Sequence, residues 1–148
     1  MSDLRDLYQE IIVDHSKRPR NHRKPQPMSH EAEGHNPLCG DSVNVYLFVK
    51  DGRVEDVGFE GRGCAISMAS ASLMTEAVKG KTVAEAKALF DSFHRLVTGK
   101  DELPDESLDK LAAFEGVRDF PVRVKCATLP WHTLQAALEK SPAAVSTE

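Results

Sequence analysis

Three cysteines and one aspartate are the residues of this chain with the clearest capacity for chemistry. Cys39 stands in Asn36-Pro37-Leu38-Cys39-Gly40-Asp41, Cys64 in Gly61-Arg62-Gly63-Cys64, and Cys126 in Arg123-Val124-Lys125-Cys126. Each is expected at the edge of a secondary-structure element, where a thiol is open to reaction or to a metal, and not on an apolar face where it only fills space. Gly40 permits a tight backbone path and Asp41 follows Cys39 by two residues, so sulfur and carboxylate can approach one centre. Cys64 falls between a strand end and a helix start, where backbone N–H groups and the helix dipole favour a thiolate. Cys126 is expected just before the last helix, with Arg123 and Lys125 adding positive charge. Three such thiols and a carboxylate can form a tetrahedral zinc site, because zinc accepts both sulfur and carboxylate oxygen. Spacing by itself leaves three unrelated free cysteines equally open, since no Cys-x-x-Cys pair occurs.

The rest of the chain bounds what these residues can serve. Its 148 residues fit one domain over 1–148, long enough to build a core without disulfides or metal. With 41% apolar and 28% charged residues it has the composition of a globular protein. A net charge of −4 argues against nonspecific binding to nucleic acid or anionic membrane. No apolar signal segment and no long apolar run is present, and an odd number of cysteines suits a reducing compartment, so the cytoplasm is expected.

Several elements are needed to position the thiols. Leu4, Leu7, Ile11 and Ile12 recur at helical spacing and predict an amphipathic helix from Ser2 to about His15. The polar segment Ser16–Pro37, with four prolines, is expected to be irregular. Val43, Val45, Leu47 and Val49 alternate as in a strand, and Asp51-Gly52 signals a two-residue hairpin. The return strand spans Arg53–Glu60, with Val57 and Phe59 inward and an irregularity near Val54-Glu55-Asp56. A small-residue helix is expected from about Ser67 to Lys79, stopped by Gly80. Thr82-Val83-Ala84-Glu85 reads as a capping box opening the next helix, which ends before Gly99. A short helix is expected around Ser107–Phe114. Thr128 is read as the cap of a final helix with Pro130 in its first turn, and 141–148 as a frayed tail. The pattern is an α+β domain: a small antiparallel sheet of about three strands, covered on one face by helices.

Asn36–Asp41, the run Phe59-Glu60-Gly61-Arg62-Gly63-Cys64-Ala65-Ile66-Ser67-Met68-Ala69-Ser70-Ala71-Ser72, and Phe120-Pro121-Val122-Arg123-Val124-Lys125-Cys126-Ala127-Thr128-Leu129 together resemble the three signatures of the U-type iron–sulfur assembly proteins. Asp14-His15 followed by Pro19-Arg20-Asn21 resembles that family's opening segment, with Ser16 where an aromatic is common. The resemblance runs in order over almost the whole chain and implies a SufE/NifU-like fold. Scaffolds of the IscU branch carry a His immediately before the third Cys. Here that position holds Lys125, an ammonium that cannot coordinate without losing its proton. The segment 99–117 also resembles the insertion that marks the SufU branch.

That likeness implies a Zn2+ ion on Cys39, Asp41, Cys64 and Cys126, and a sulfurtransferase that accepts persulfide sulfur from a SufS-type, pyridoxal-phosphate cysteine desulfurase. Cys39 is the implied acceptor, freed when a partner histidine takes over its coordination position. Downstream, the resemblance implies SufBCD-type assembly machinery. Two other functions fit the same residues: a scaffold on which a transient [2Fe–2S] cluster is assembled, and a zinc-containing activator of the desulfurase without a catalytic role. Among the remaining residues, His35 is the best candidate to support a ligand from behind. Arg123 can steer a partner or simply be solvated. The basic run Lys17, Arg18, Arg20, Arg23 and Lys24 reads as a solvated loop before a docking patch. His15 is expected to pack or hydrogen-bond at the end of the first helix. His22, His30, His94 and His132 read as surface residues, and Trp131 as a packing anchor that could also touch a partner.

Overall fold

The hairpin forms where the turn chemistry demands it. In the computed structural model, which describes residues 2–37, 40–100, 106–140 and 145–146, Asp51 and Gly52 both take positive φ, +54° and +76°. They join β2 (Asp41–Lys50) to β3 (Arg53–Arg62) with a turn whose twist matches the strands. The register shifts between Phe48 and Val49, which pair with Asp56 and Val54, so Glu55 is the extra residue of a bulge. Val43, Val45, Leu47, Val57 and Phe59 alternate onto one buried face.

A third strand, β1 (His30–Asn36), lies inside the segment expected to be irregular. Its sequence, His-Glu-Ala-Glu-Gly-His-Asn, has no β-branched or aromatic residue, so pairing with β2 and not propensity makes it a strand. A two-residue strand β4 (Val145–Ser146) runs parallel to β1, giving the sheet order β3-β2-β1-β4. The expected frayed tail thus contains a paired dipeptide; its other residues, 141–144 and 147–148, lie outside the described residues, as do 101–105 of the segment 99–117.

Helices α1 (Ser2–Lys17), α2 (Ala65–Val78), α3 (Val83–Val97) and α4 (Pro121–Leu138) complete the fold, with a 3-10 segment Glu106–Asp119 interrupted at Asp109, where φ is +48°. The capping box of α3 is formed in both directions between Thr82 and Glu85. Helix α2 is buried on nearly every side, and its small residues let α1, α4 and β3 approach it. Its hydroxyls are matched inside the core: Ser70 Oγ donates to the Ala127 carbonyl at 2.5 Å and Thr75 Oγ1 to the Ser72 carbonyl at 2.7 Å. Strand β1 packs on α4 so closely that a Cβ at Gly34 would overlap the Thr133 hydroxyl. Trp131 is fully buried and stacks on Phe90 and Phe93 of α3, which makes it a packing anchor and removes it as a partner contact.

The last helix begins earlier than its sequence predicts. Pro121 occupies the first turn, where a missing N–H costs nothing, and Pro130 sits in the helix interior. Thr128 is no cap: its hydroxyl donates back to the Val124 carbonyl at 3.0 Å, the i−4 bond of an interior threonine. Among the described residues no helix is long and apolar enough to cross a membrane.

Candidate metal centre

Asp41, Cys64 and Cys126 converge from three separate elements. Asp41 is the first residue of β2, paired across the ladder with Asn36, the last of β1. Cys64 is the N-cap of α2, with extended backbone, and its sulfur accepts from the Ser67 N–H at 3.4 Å. Cys126 lies in the second turn of α4, not ahead of that helix, because Pro121 starts the helix five residues upstream of it. Asp41 and Cys126 are each 2% exposed, whereas Cys64 is half-buried. One oxygen or sulfur from each of the three lies within 4.8 Å of the others. Cys39 and Leu38 lie outside the described residues.

The donor set fits zinc. A sulfur at about 2.3 Å and a carboxylate oxygen at about 2.0–2.2 Å on a tetrahedral zinc stand roughly 3.6 Å apart, and Cys64 Sγ is 3.7 Å from Asp41 Oδ2. The other Asp41 oxygen, Oδ1, accepts from the Cys64 backbone N–H at 2.8 Å, tying β2 to the start of α2. The residue before Cys64 must be small, since a Cβ at Gly63 would stand 2.5 Å from that same oxygen.

His35 does not support the centre. It is exposed and bonds Glu33 at 2.6 Å, because side chains alternate along β1 and His35 faces away from α4. Its neighbour Asn36 faces in, is 0% exposed, and donates from Nδ2 to Cys126 Sγ at 3.8 Å. The sequence favours His35, whereas the residue of β1 turned toward Cys126 is Asn36, one position later. The available signal was the alternation itself, had β1 been recognised.

Other expectations resolve around the site. His15 is buried at the end of α1, with Nδ1 2.7 Å from Ser72 Oγ and Nε2 3.7 Å from Glu76. Burial depresses its basicity, and the nearby Arg20 adds to the effect. The basic run is solvent-exposed for the most part but makes surface pairs: Arg18 and Arg20 with Asp14, Arg23 with Asp56, and the Lys24 ammonium lies 5.4 Å over the Tyr46 ring. His132 is half-buried and packs edge-on against Phe90, 6.0 Å from His94, so it is not a surface residue. Burial lowers its basicity as well. Arg123 is exposed with its guanidinium 4.5 Å over the Phe120 ring, while Phe120 and Val122 expose about half their surface.

A family model described as the NifU-like N-terminal domain matches residues 7–145. The chain belongs to this family. The match extends to relatives with two kinds of name. The zinc-dependent sulfurtransferase SufU of Bacillus subtilis (strain 168) is 40% identical over 139 residues, covering 94% of each chain. The iron–sulfur cluster assembly scaffold protein IscU of Streptococcus pyogenes serotype M1 is 39% identical over 141 residues, covering 95% of this chain and 88% of that one. Among solved structures, an iron–sulfur cluster assembly scaffold protein for the SUF system from Fervidobacterium islandicum AW-1 superposes with a TM-score of 0.82. It is 40% identical and covers 87% of this chain and 94% of its own. The α+β fold of this NifU-like domain is therefore that of its structural neighbours.

Proposed function

We propose that this NifU-like chain is a zinc-dependent sulfurtransferase of iron–sulfur cluster assembly, with Cys39, Asp41, Cys64 and Cys126 as its metal ligands. The observation that carries this reading is the convergence of Asp41, Cys64 and Cys126 within 4.8 Å from three distant points in the chain. When bound there, zinc would hold its cysteine ligands as thiolates at neutral pH. Cys39, two residues from Asp41, supplies the fourth position and the acceptor sulfur. Its thiolate attacks the outer sulfur of a persulfide on a SufS-type cysteine desulfurase. The donor's S–S bond breaks, the donor leaves as a thiolate, and the outer sulfur stays on Cys39 as a new persulfide. Cys64 and Cys126, set in the frames of α2 and α4, are the retained ligands. Lys125 beside Cys126 supports transfer over cluster holding, because an ammonium offers no lone pair to iron. We read the whole chain as one domain, 99–117 as an insertion of the SufU branch, the cytoplasm as its compartment, and SufBCD-type machinery as the recipient.

A second reading, a scaffold on which a [2Fe–2S] cluster is built as cargo, is favoured by the name of the 39% identical IscU relative. Stimulation of a SufS-type desulfurase separates the two. Cys39→Ser is expected to abolish stimulated cysteine desulfuration while far-UV circular dichroism is unchanged. Full stimulation by that variant would remove Cys39 as the acceptor. A stable cluster reconstituted on the unmodified chain and passed to an apo-ferredoxin would establish the scaffold instead.

A further inference from the structure

Strand β1 and helix α4 meet along a ladder of inward residues. Gly34 faces Leu129 and Thr133. Two residues further on, on the same face of the strand, Asn36 meets Cys126, three residues before Leu129 on the helix. The close approach that Gly34 permits brings a buried carboxamide to the sulfur. Asn36 is 0% exposed and its Nδ2 stands 3.8 Å from Cys126 Sγ. A carboxamide N–H is a donor that cannot compete as a strong metal ligand. Given to a thiolate, it fixes the direction of the sulfur and draws off charge that would otherwise make it a better nucleophile. Asn36 is also the Cα partner of Asp41 in the β1–β2 ladder, so one residue reaches one candidate ligand through the backbone and another through its side chain.

We propose that Asn36 is a positioning residue of the metal centre, whose side-chain N–H orients the Cys126 sulfur and keeps Cys126 a retained ligand. This rests on the zinc reading above and gives the first residue of the Cys39 motif a role at a different cysteine, Cys126. The same arrangement occurs at Cys64, where the Ser67 backbone N–H takes the donor's part. Asn36 does for an interior helical cysteine what a helix N-terminus does for Cys64.

The test compares zinc affinity, by competition with a chromophoric chelator, for the unmodified chain, Asn36→Ala and the near-isosteric Asn36→Asp. Denaturant unfolding of each metal-free protein is measured in parallel. The expected result is a loss of about 10–100-fold in affinity for both variants, larger for Asp, whose carboxylate faces the sulfur as an acceptor. Affinities within twofold of the unmodified chain would overturn the proposal. Because Asn36 is buried, the unmodified chain supplies a second measurement that needs no variant. In the 113Cd-loaded protein, a metal–proton correlation is expected to an Asn36 Nδ2 proton across the N–H···S bond. The Ser67 N–H correlation through Cys64 serves as its internal control, and seeing that one without the Asn36 signal would overturn the proposal. Failure of the unmodified chain to bind zinc would remove the underlying reading. Tight zinc binding that ignores Asn36 would remove only this inference.

Discussion

Asp41 uses its two oxygens differently, and this separates what it does for the fold from the metal role proposed for it. Oδ1 accepts the Cys64 backbone N–H at 2.8 Å, and Oδ2 faces the Cys64 sulfur at 3.7 Å. Asp41→Asn keeps an oxygen to accept the N–H but loses the charge. It is expected to leave metal-free stability nearly unchanged and to weaken zinc by more than the roughly 10–100-fold typical of a residue behind a ligand. Asp41→Ala loses both roles and should cost the metal-free protein about 1–3 kcal/mol more than Asp41→Asn, the scale of a buried N–H left unpaired. Chelator competition and urea unfolding report the two quantities separately; equal effects of the two substitutions on both would contradict the division. At this scale much of the site was legible. Cys64 was placed correctly because Gly61-Arg62-Gly63 ends a strand and small residues follow. Cys126 was misplaced because Thr128-Leu129-Pro130 imitates a helix start, whereas Pro121 made the true one without a side-chain cap. Asn36 opens the Cys39 motif, but its contact with Cys126, 90 residues away, was not legible there; only strand register and the face of α4 show where it points.

A buried imidazole ties helix α1 to α2 beside the apolar packing of Ile11 and Ile12, which makes the docking of these elements sensitive to acid. His15 touches Ser72 through Nδ1, Ser72 Oγ also accepts the Arg20 backbone N–H at 2.8 Å, and Asn21 Nδ2 donates to Thr75. Burial lowers the folded-state pKa of His15 below its unfolded value. The unfolded chain therefore binds the proton first, and the stability present above about pH 6.5 is lost as pH falls through that value towards the folded pKa. His30 and His132 are shifted in the same direction by burial and add to the trend. Urea unfolding between about pH 7.5 and 5.5 is expected to show stability falling with acid, by at most about 1.4 kcal/mol per pH unit for each such group. His15→Gln should flatten that slope. A slope unchanged in the variant, or stability rising with acid, would contradict this role for His15. The elements themselves divide by the kind of signal that made them. The Asp51-Gly52 turn, the bulge at Glu55 and the Thr82–Glu85 box are local chemistry and were legible. Strand β1 was not, because its Glu- and His-rich sequence is held extended by β2 on one side and by α4 against Gly34.

The whole molecule brings its candidate ligands from the β1–β2 junction, the start of α2 and the second turn of α4, so a metal bound there ties the sheet to two helices. The apolar core joins β2, β3, α2, α3 and α4 without the metal. Removing zinc is therefore expected to loosen the molecule without unfolding it. A ligand present at about 1,000 times its dissociation constant adds about 4 kcal/mol to stability, which for a chain of this size raises Tm by about 8–16 °C. Calorimetry before and after chelation checks this. An unchanged Tm, or complete unfolding on chelation, would contradict a centre that spans elements of an independently stable core. The same architecture bears on the central claim that one cysteine, Cys39, takes up sulfur while Cys64 and Cys126 stay as ligands. The most direct measurement is peptide-resolved mass spectrometry of the chain after turnover with a SufS-type desulfurase and cysteine. A sulfur adduct of about 32 Da on Cys39 alone is predicted; an adduct on Cys64 or Cys126, or none while desulfuration is still stimulated, would contradict it.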